Sequence, residues 1–387
     1  MGVKVPFQEI YLDNNATTRP LPEVRKAMFE VLGGQFGNPS SVHSVGERAR
    51  QKITLARNSV ASLFGGVPSR LIFTSCGTEA NNLIFSSATW GRPKPFRIIT
   101  SQVEHSSILA MCDHLEALGG EVIKLPVNRA GLVDIEGLNA ALSEETALVS
   151  IQWVNNETGV IQPIQTICKI CKSKQVPFHT DAAQAVGKLR INISSLPIDY
   201  LSLTGHKFHS PQGVGALYSL CLDTVHPTLF GGTQERGLRP GTENFPGIIG
   251  MGVAAQVRYE NLSEHIERLE ILRDQFEKQV LELVPQVIIN GGQADRVCNT
   301  SNLFFEGVDG QALVARLDQE GIYCSQSSAC TNQRPEPSYV LQAMGLSEEE
   351  AYSSLRFSFS IENTFEEIEV ATRKISKICK QLREFWH

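Results

Sequence analysis

"YLSLTGHKFHSPQGVGALY", residues 200–218, starts as a β-rich run, turns polar at Thr204 and reaches Lys207 just before a turn rich in proline and glycine. The apolar start suits a buried strand, and the turn residues end it. Five upstream segments share this form: RLIFTS (70–75), FRIITS (96–101), EVIKLPV (121–127), ALVSIQWV (147–154) and PFHTDAA (177–183). Between them lie amphipathic stretches such as SSILAMCDHLEALG (106–119) and PIQTICKICKSKQ (163–175). Short strands alternating with helical patterns predict crossover units on a largely parallel sheet. In such sheets ligands bind beyond the carboxyl ends of the strands. The polar tails TSCGTEAN, SQVEHSS, VNNETG, HTDAAQ and TGHK all fall at those ends, so they are expected to converge.

A charged amphipathic stretch over about 248–284 follows and is expected to bridge two domains. Beyond it, TSNLFFEG (300–307) and SLRFSFS (354–360) read as strands, and GQALVARLDQEG (310–321) and TFEEIEVATRKISKICKQL (364–382) as helices. They predict a smaller α+β domain, completed by the N-terminal segment. The chain of 387 residues is long enough for two domains. A net charge of −6 argues against nucleic acid or an anionic membrane as the main partner. No apolar run approaches the length of a spanning helix, and the opening MGVKVPFQEIYLDNN shows no signal or transit pattern. Nine unevenly spaced cysteines do not resemble a disulfide framework, so a reducing, cytoplasmic setting is expected. Cys168 and Cys171 form a C-x-x-C without a second pair. They are expected to be small apolar residues on the buried face of one helix rather than zinc ligands.

A lysine by itself is ordinarily a solvated charge. Among polar strand ends, with its pKa lowered by burial and neighbours, it is able to form a Schiff base with an aldehyde. The aldehyde cofactor held this way is pyridoxal phosphate (PLP). It needs a lysine, an acid facing the pyridine nitrogen, donors for its phosphate and a partner stacked on its ring. Lys207 supplies the first and Asp181, at the end of a strand, the second. Gly77 and Thr78 sit at a strand-to-helix turn, where free backbone N–H groups and the helix dipole suit a phosphate. Thr204 and His206 add donors, and His105 is placed to stack. Singly these residues have ordinary explanations; their order on successive strand ends points to one site.

With these motifs in place the sequence resembles the NifS/IscS-like cysteine desulfurases, of the class V aminotransferase group. The resemblance runs over nearly the whole chain. It rests on YLDNNATT, FGNPSSVHSVG, TSCGTEANN, VEHSS, VNNETGVIQP, HTDAAQAVGK, TGHKFHSPQGVGALY, ERGLRPGTEN, SSACTNQRPEPSYVLQAMG and LRFSFS. It implies an α/β protein of PLP fold type I. A large PLP-binding domain (16–260) would hold a mainly parallel seven-stranded sheet, beside a smaller α+β domain (1–15 and 261–387). By resemblance Lys207 is the PLP-linked lysine, Asp181 the pyridine-nitrogen partner, Gln184 a contact of the ring hydroxyl and His105 the stacking residue. Gly77, Thr78, Thr204 and His206 match phosphate-binding positions, and Asn156 lies near cofactor and substrate. Thr242 matches a threonine that reaches the phosphate of the other subunit, which implies a homodimer. Arg356 resembles the clamp for the substrate carboxylate, a role suited to a planar guanidinium.

The resemblance also explains Cys330. SSACTNQRPEPS (327–338) has the composition of an exposed, mobile loop, an odd place for a free thiol. Its implied role is nucleophilic: the thiolate takes the γ-sulfur of L-cysteine as a persulfide, L-alanine leaves, and the sulfur passes to an acceptor protein such as an Fe–S scaffold. A thiolate needs a proton acceptor, for which His105 is the candidate. The long loop is similar to the NifS/IscS branch rather than the SufS branch. Cys76 departs from a glycine usual in the phosphate turn, and Cys324 is expected to be a buried strand residue. The related alternatives are a lyase for selenocysteine or cysteine sulfinate, which need not depend on Cys330. An aminotransferase would leave Cys330 unexplained, and a PLP-binding scaffold protein would not need the full set of groups.

Overall fold

Each of the six strand-like runs contains a strand in the computed structural model, which describes residues 9–326 and 337–384. In chain order β1 is Ile10–Tyr11, β2 Leu71–Thr74, β3 Arg97–Ser101, β4 Glu121–Leu125, β5 Thr146–Ser150, β6 Phe178–Asp181, β7 Tyr200–Thr204 and β8 Gly215–Ser219. Strands β2 to β8 form a seven-stranded sheet in the order β2-β8-β7-β6-β5-β3-β4. Its pairs are parallel except those of β8, which is antiparallel to both β7 and β2. Two reversals leave β2 pointing with the others, so the carboxyl ends of β2, β3, β5, β6 and β7 lie on one edge. This is the mainly parallel sheet that the resemblance implied.

The inner strands β5 to β8 are buried along their whole length because both faces of the sheet are covered. In β3, Ile98 belongs to one core cluster and its neighbour Ile99 to another; Leu148 and Val149 of β5 divide the same way. Successive side chains of a strand point to opposite faces, and here both are filled. The crossover helix Ile164–Ser173 buries Ile164, Ile167, Cys168 and Cys171 on one side. Both cysteines are free, and among the described residues no His/Cys/Asp/Glu group is suited to a metal. The two cysteines lie on the buried face of this helix, as its periodicity suggested.

The stretch expected as one bridge over 248–284 is two helices, Phe245–Glu260 and Leu262–Leu283, separated at Asn261. The first is apolar nearly all round, with Ile248, Met251, Ala254 and Ala255 buried. The second keeps an apolar stripe of Leu269, Leu272, Phe276 and Val280. A single helix cannot satisfy both patterns, and Asn261, whose side chain donates back to the Val257 carbonyl, ends the first.

Four more strands follow: β9 (Val287–Ile289), β10 (Thr300–Phe305), β11 (Ile322–Tyr323) and β12 (Ser354–Ser358). β10 is the centre of an antiparallel sheet between β12 and β9, and β1 pairs in parallel with β11. From β1 the N-terminal segment runs along β12, where Asn14 N donates to Ser358 O and Ser358 N to Leu12 O. It then crosses to the end of β7, where Thr18 N donates to His206 O. Among the described residues no helix is long and apolar enough to cross a membrane.

Candidate active site

The strand ends do converge. A cavity of about 280 Å³ at that edge is lined by Gly77, Thr78, His105, Asn156, Asp181, Gln184, Thr204, His206, Lys207 and Arg356, all named from the sequence. Its volume is near the lower end of the roughly 300–1,000 Å³ of small-molecule sites. A more open cavity of about 480 Å³, lined by Val308, Asp309, Glu348, Glu349 and Tyr352, contains none of them.

Each side chain arrives by a short local device. Lys207 closes the 3₁₀ turn Gly205–Lys207 that follows β7, and its Nζ donates to the carbonyls of Asn15 (2.6 Å) and Ala16 (2.8 Å). Asp181 is the last residue of β6. Its Oδ1 accepts from Ala183 N at 2.9 Å and its Oδ2 from Asn81 Nδ2 at 2.9 Å. His105 caps the helix Ser106–Ala117, with Nδ1 accepting from Ser107 N. Burial lowers the His105 pKa below the ordinary value, with the Lys207 charge adding and the Asp181 charge opposing. The ring is therefore neutral at neutral pH. His206 is pushed down to about 4, mainly by burial and then by the charges of Lys207 and Lys188.

The helix Gly77–Thr89 begins directly behind Cys76, with no side chain capping its first N–H groups. This turn lies close to the end of β7: a Cβ added at Gly77 would lie 3.6 Å from the Thr204 Cβ. Gly215 of β8 makes this approach possible, since a Cβ there would stand 2.7 Å from the Cys76 carbonyl carbon. Cys76 lines the cavity at this turn. Arg356, in the middle of β12, is 2% exposed. Its Nη2 pairs with Asp13 Oδ1 at 2.7 Å and its Nη1 donates to Asn156 O at 3.1 Å. Arg356 Nε and Asn156 Oδ1 are buried with no hydrogen-bond partner.

Two sequence-derived residues are not in the cavity. Thr242 is exposed, in the segment before the helix Phe245–Glu260, and is absent from the lining. Cys330 lies outside the described residues. Shortly after it in the chain, Tyr339 donates to Glu104 O at 2.6 Å and Ser338 Oγ bonds Glu157 Oε2, so this flank is tied to the tails of β3 and β5. Cys324 stands just past β11, half-buried rather than within a strand. Sequence reasoning missed Asp13, Asn15, Asn81 and Gln152. A polar run in YLDNNATT directly after an apolar pair was the available signal for the first two. Nothing local marks Asn81, a mid-helix residue, as a partner of Asp181.

The aminotransferase class-V family model matches residues 10–370. A cysteine desulfurase of Sinorhizobium fredii (strain NBRC 101917 / NGR234) is 44% identical over 380 residues, 98% of each chain. The cysteine desulfurase NifS of Azotobacter vinelandii is 42% identical over 376 residues, 97% of this chain and 94% of that one. A solved structure of a NifS-like protein superposes with a TM-score of 0.91 at 35% identity, over 97% of this chain and 100% of that chain.

Proposed function

Because the chain belongs to the class-V aminotransferase family, among its NifS/IscS-like cysteine desulfurases, we propose that the strand-edge cavity holds PLP and removes sulfur from L-cysteine, giving L-alanine and a persulfide on Cys330. Enzymes of this family depend on PLP. The observation that carries the reading is the meeting of Lys207, Asp181, His105 and an uncapped helix N-terminus in one cofactor-sized cavity. The fit is chemical as well as spatial. A lysine, a carboxylate, uncapped N–H donors and two buried polar atoms without partners, the donor Arg356 Nε and the acceptor Asn156 Oδ1, suit a guest that carries both acceptors and donors.

When bound, the cofactor supplies an electron sink for the bonds broken at the substrate. Asp181, steadied by Asn81 and Ala183 N, would serve the ring nitrogen. The Gly77–Thr78 amides, Thr204 and His206 would hold the phosphate, and His105 would pack on the ring. Arg356 and Asn156 orient the substrate carboxylate, with Asp13 fixing the guanidinium plane. Lys207 removes the Cα proton. His105, neutral at neutral pH, accepts the proton of the Cys330 thiol. The Cys330 sulfur then bonds to the substrate's γ-sulfur as the C–S bond breaks. The electron pair of that bond stays with carbon, which is protonated to the methyl group of alanine, so no outside oxidant is needed. Thr242 acts in the neighbouring subunit of a homodimer, and the persulfide sulfur passes to a protein acceptor such as an Fe–S scaffold in the cytoplasm.

The test is stoichiometric. Purified protein with PLP, L-cysteine and a reductant should release sulfide and alanine in equal amounts, and Cys330→Ser should abolish sulfide release. Full turnover by Cys330→Ser would overturn the persulfide route. Faster turnover of L-selenocysteine or cysteine sulfinate, unaffected by that substitution, would assign the lyase chemistry instead.

A further inference from the structure

Lys188, the last residue of HTDAAQAVGK, has no part in the proposed chemistry, and its surroundings are unusual. It follows the strand-end motif of Asp181 and Gln184, is 3% exposed, and does not line the cavity. Burial lowers its pKa well below the ordinary lysine value, and the charges of Lys207, Arg258 and Arg356 press the same way, with Cys298 opposing. An amine buried among cations is costly unless its protons are used. Lys188 Nζ spends them on two amide oxygens, donating to Asn15 Oδ1 at 3.0 Å and to Gln184 Oε1.

Those two bonds have a directional consequence. Protonated, the lysine has only N–H groups to offer, and both amides turn their oxygens toward it. What Gln184 presents on its other side is its NH₂ group, which donates to the Asn15 carbonyl at 3.1 Å. Asn15 Nδ2 is left to donate to Asn156 O (3.2 Å) and Thr300 Oγ1 (2.8 Å). The same Asn15 carbonyl accepts from Lys207 Nζ, and Asn156 O accepts from Arg356 Nη1. One buried amine therefore stands behind the lysine, the glutamine and the arginine of the site.

We propose that Lys188 is a positioning residue: its hydrogen bond to Gln184 fixes the facing of that amide and so presents Gln184 as a donor to the cofactor. This rests on the PLP reading above. Without Lys188, the Gln184 amide is free to flip, and a flipped Gln184 offers an oxygen where a donor is required. Asn15 keeps its facing, because Asn299 Nδ2 donates to the same Oδ1 at 3.1 Å and Asn15 Nδ2 keeps its bonds to Asn156 O and Thr300 Oγ1.

The experiment compares wild type, Lys188→Met, Gln184→Leu and the double variant K188M/Q184L. Melting of the cofactor-free proteins checks that each folds. Two readings with PLP follow: the dissociation constant for the cofactor, and the midpoint of the pH-dependent change in its visible absorbance. Lys188→Met should weaken PLP binding by roughly tenfold, the worth of one or two lost hydrogen bonds. It should also move the absorbance midpoint by about half a pH unit or more, a shift that a merely structural role leaves unmoved. The double variant should match Gln184→Leu in midpoint, because residues acting through one another are not additive. An unchanged midpoint and affinity in Lys188→Met overturns the proposal. Should Lys188→Met fail to fold, the double variant, whose Gln184 oxygen is gone, decides: a midpoint displaced beyond that of Gln184→Leu overturns it. A wild type that takes up no PLP overturns both this inference and the PLP reading, whereas binding by wild type with an unaltered Lys188→Met overturns this one alone.

Discussion

Lys207 and Arg356 lie far apart in the chain, yet both draw partners from residues 13–16. For Lys207 the partners are carbonyls, which leave the amine available for chemistry. Lys207→Ala should remove the visible absorbance band of the PLP-loaded protein and lower desulfuration by at least about 10²–10⁴-fold, the range for loss of a positioned proton-transfer group. The histidines carry a separate signature. His179, His206, His209 and His265 are each pushed from 6.5 to about 4, chiefly by burial. The folded protein keeps them neutral, while an unfolded chain binds protons below about 6.5. Stability is therefore fully present above that pH and falls as the pH drops toward 4. Melting temperature measured against pH on the cofactor-free protein should show this decline. His179→Gln should make it shallower, since His179 is fully buried between the Ser150 and Ser202 hydroxyls.

At the scale of elements, the anion-binding end of the helix Gly77–Thr89 depends on how closely its turn sits on the sheet. Gly215 sets that distance. Gly215→Ala would force the Cys76 backbone away by a contact of 2.7 Å, at a cost of about 1–3 kcal/mol for overpacking. The expected result is weaker PLP binding together with a lower melting temperature, read by titration and by calorimetry. The helix Ile164–Ser173 makes the opposite prediction. Its Cys168 and Cys171 are core atoms, so a strong zinc chelator should leave melting temperature and activity unchanged.

At the scale of the molecule, the N-terminal segment joins the sheets. It pairs with β11, lies along β12 and ends on the β7 turn. Asp13→Ala would leave Arg356 buried without its ion-pair partner, a loss of about 3–5 kcal/mol for a broken buried pair. Thr242, exposed on one chain, belongs to the dimer question. If it serves the neighbouring site, mixed dimers of Lys207→Ala and Thr242→Val chains contain one site with both residues intact. Mixed dimers separated from both parents should then regain activity that neither parent has, up to half that of wild type. No recovery in dimers verified by mass would remove Thr242 from the site.

Much was legible in the sequence because it is local. The strands of the main sheet are short apolar runs ended by polar residues, and each tail carries its own functional side chain. Reading Lys207, Asp181, His105 and Gly77 needed only the order of these tails and the rule that parallel strands share an edge. The sequence by itself thus determined the sheet, the convergence edge and most of the cavity's lining. The tertiary structure alone decided which groups hold those side chains. Asp13 on Arg356, Asn81 on Asp181, and Lys188 on Asn15 are pairings across elements whose separation in the chain bears no signal of contact. The break at Asn261 was hidden for a related reason. Two helices with different buried faces read as one amphipathic stretch until their neighbours show which side each must bury. A hydrogen bond between distant residues is specified by packing, and packing is a property of the folded whole.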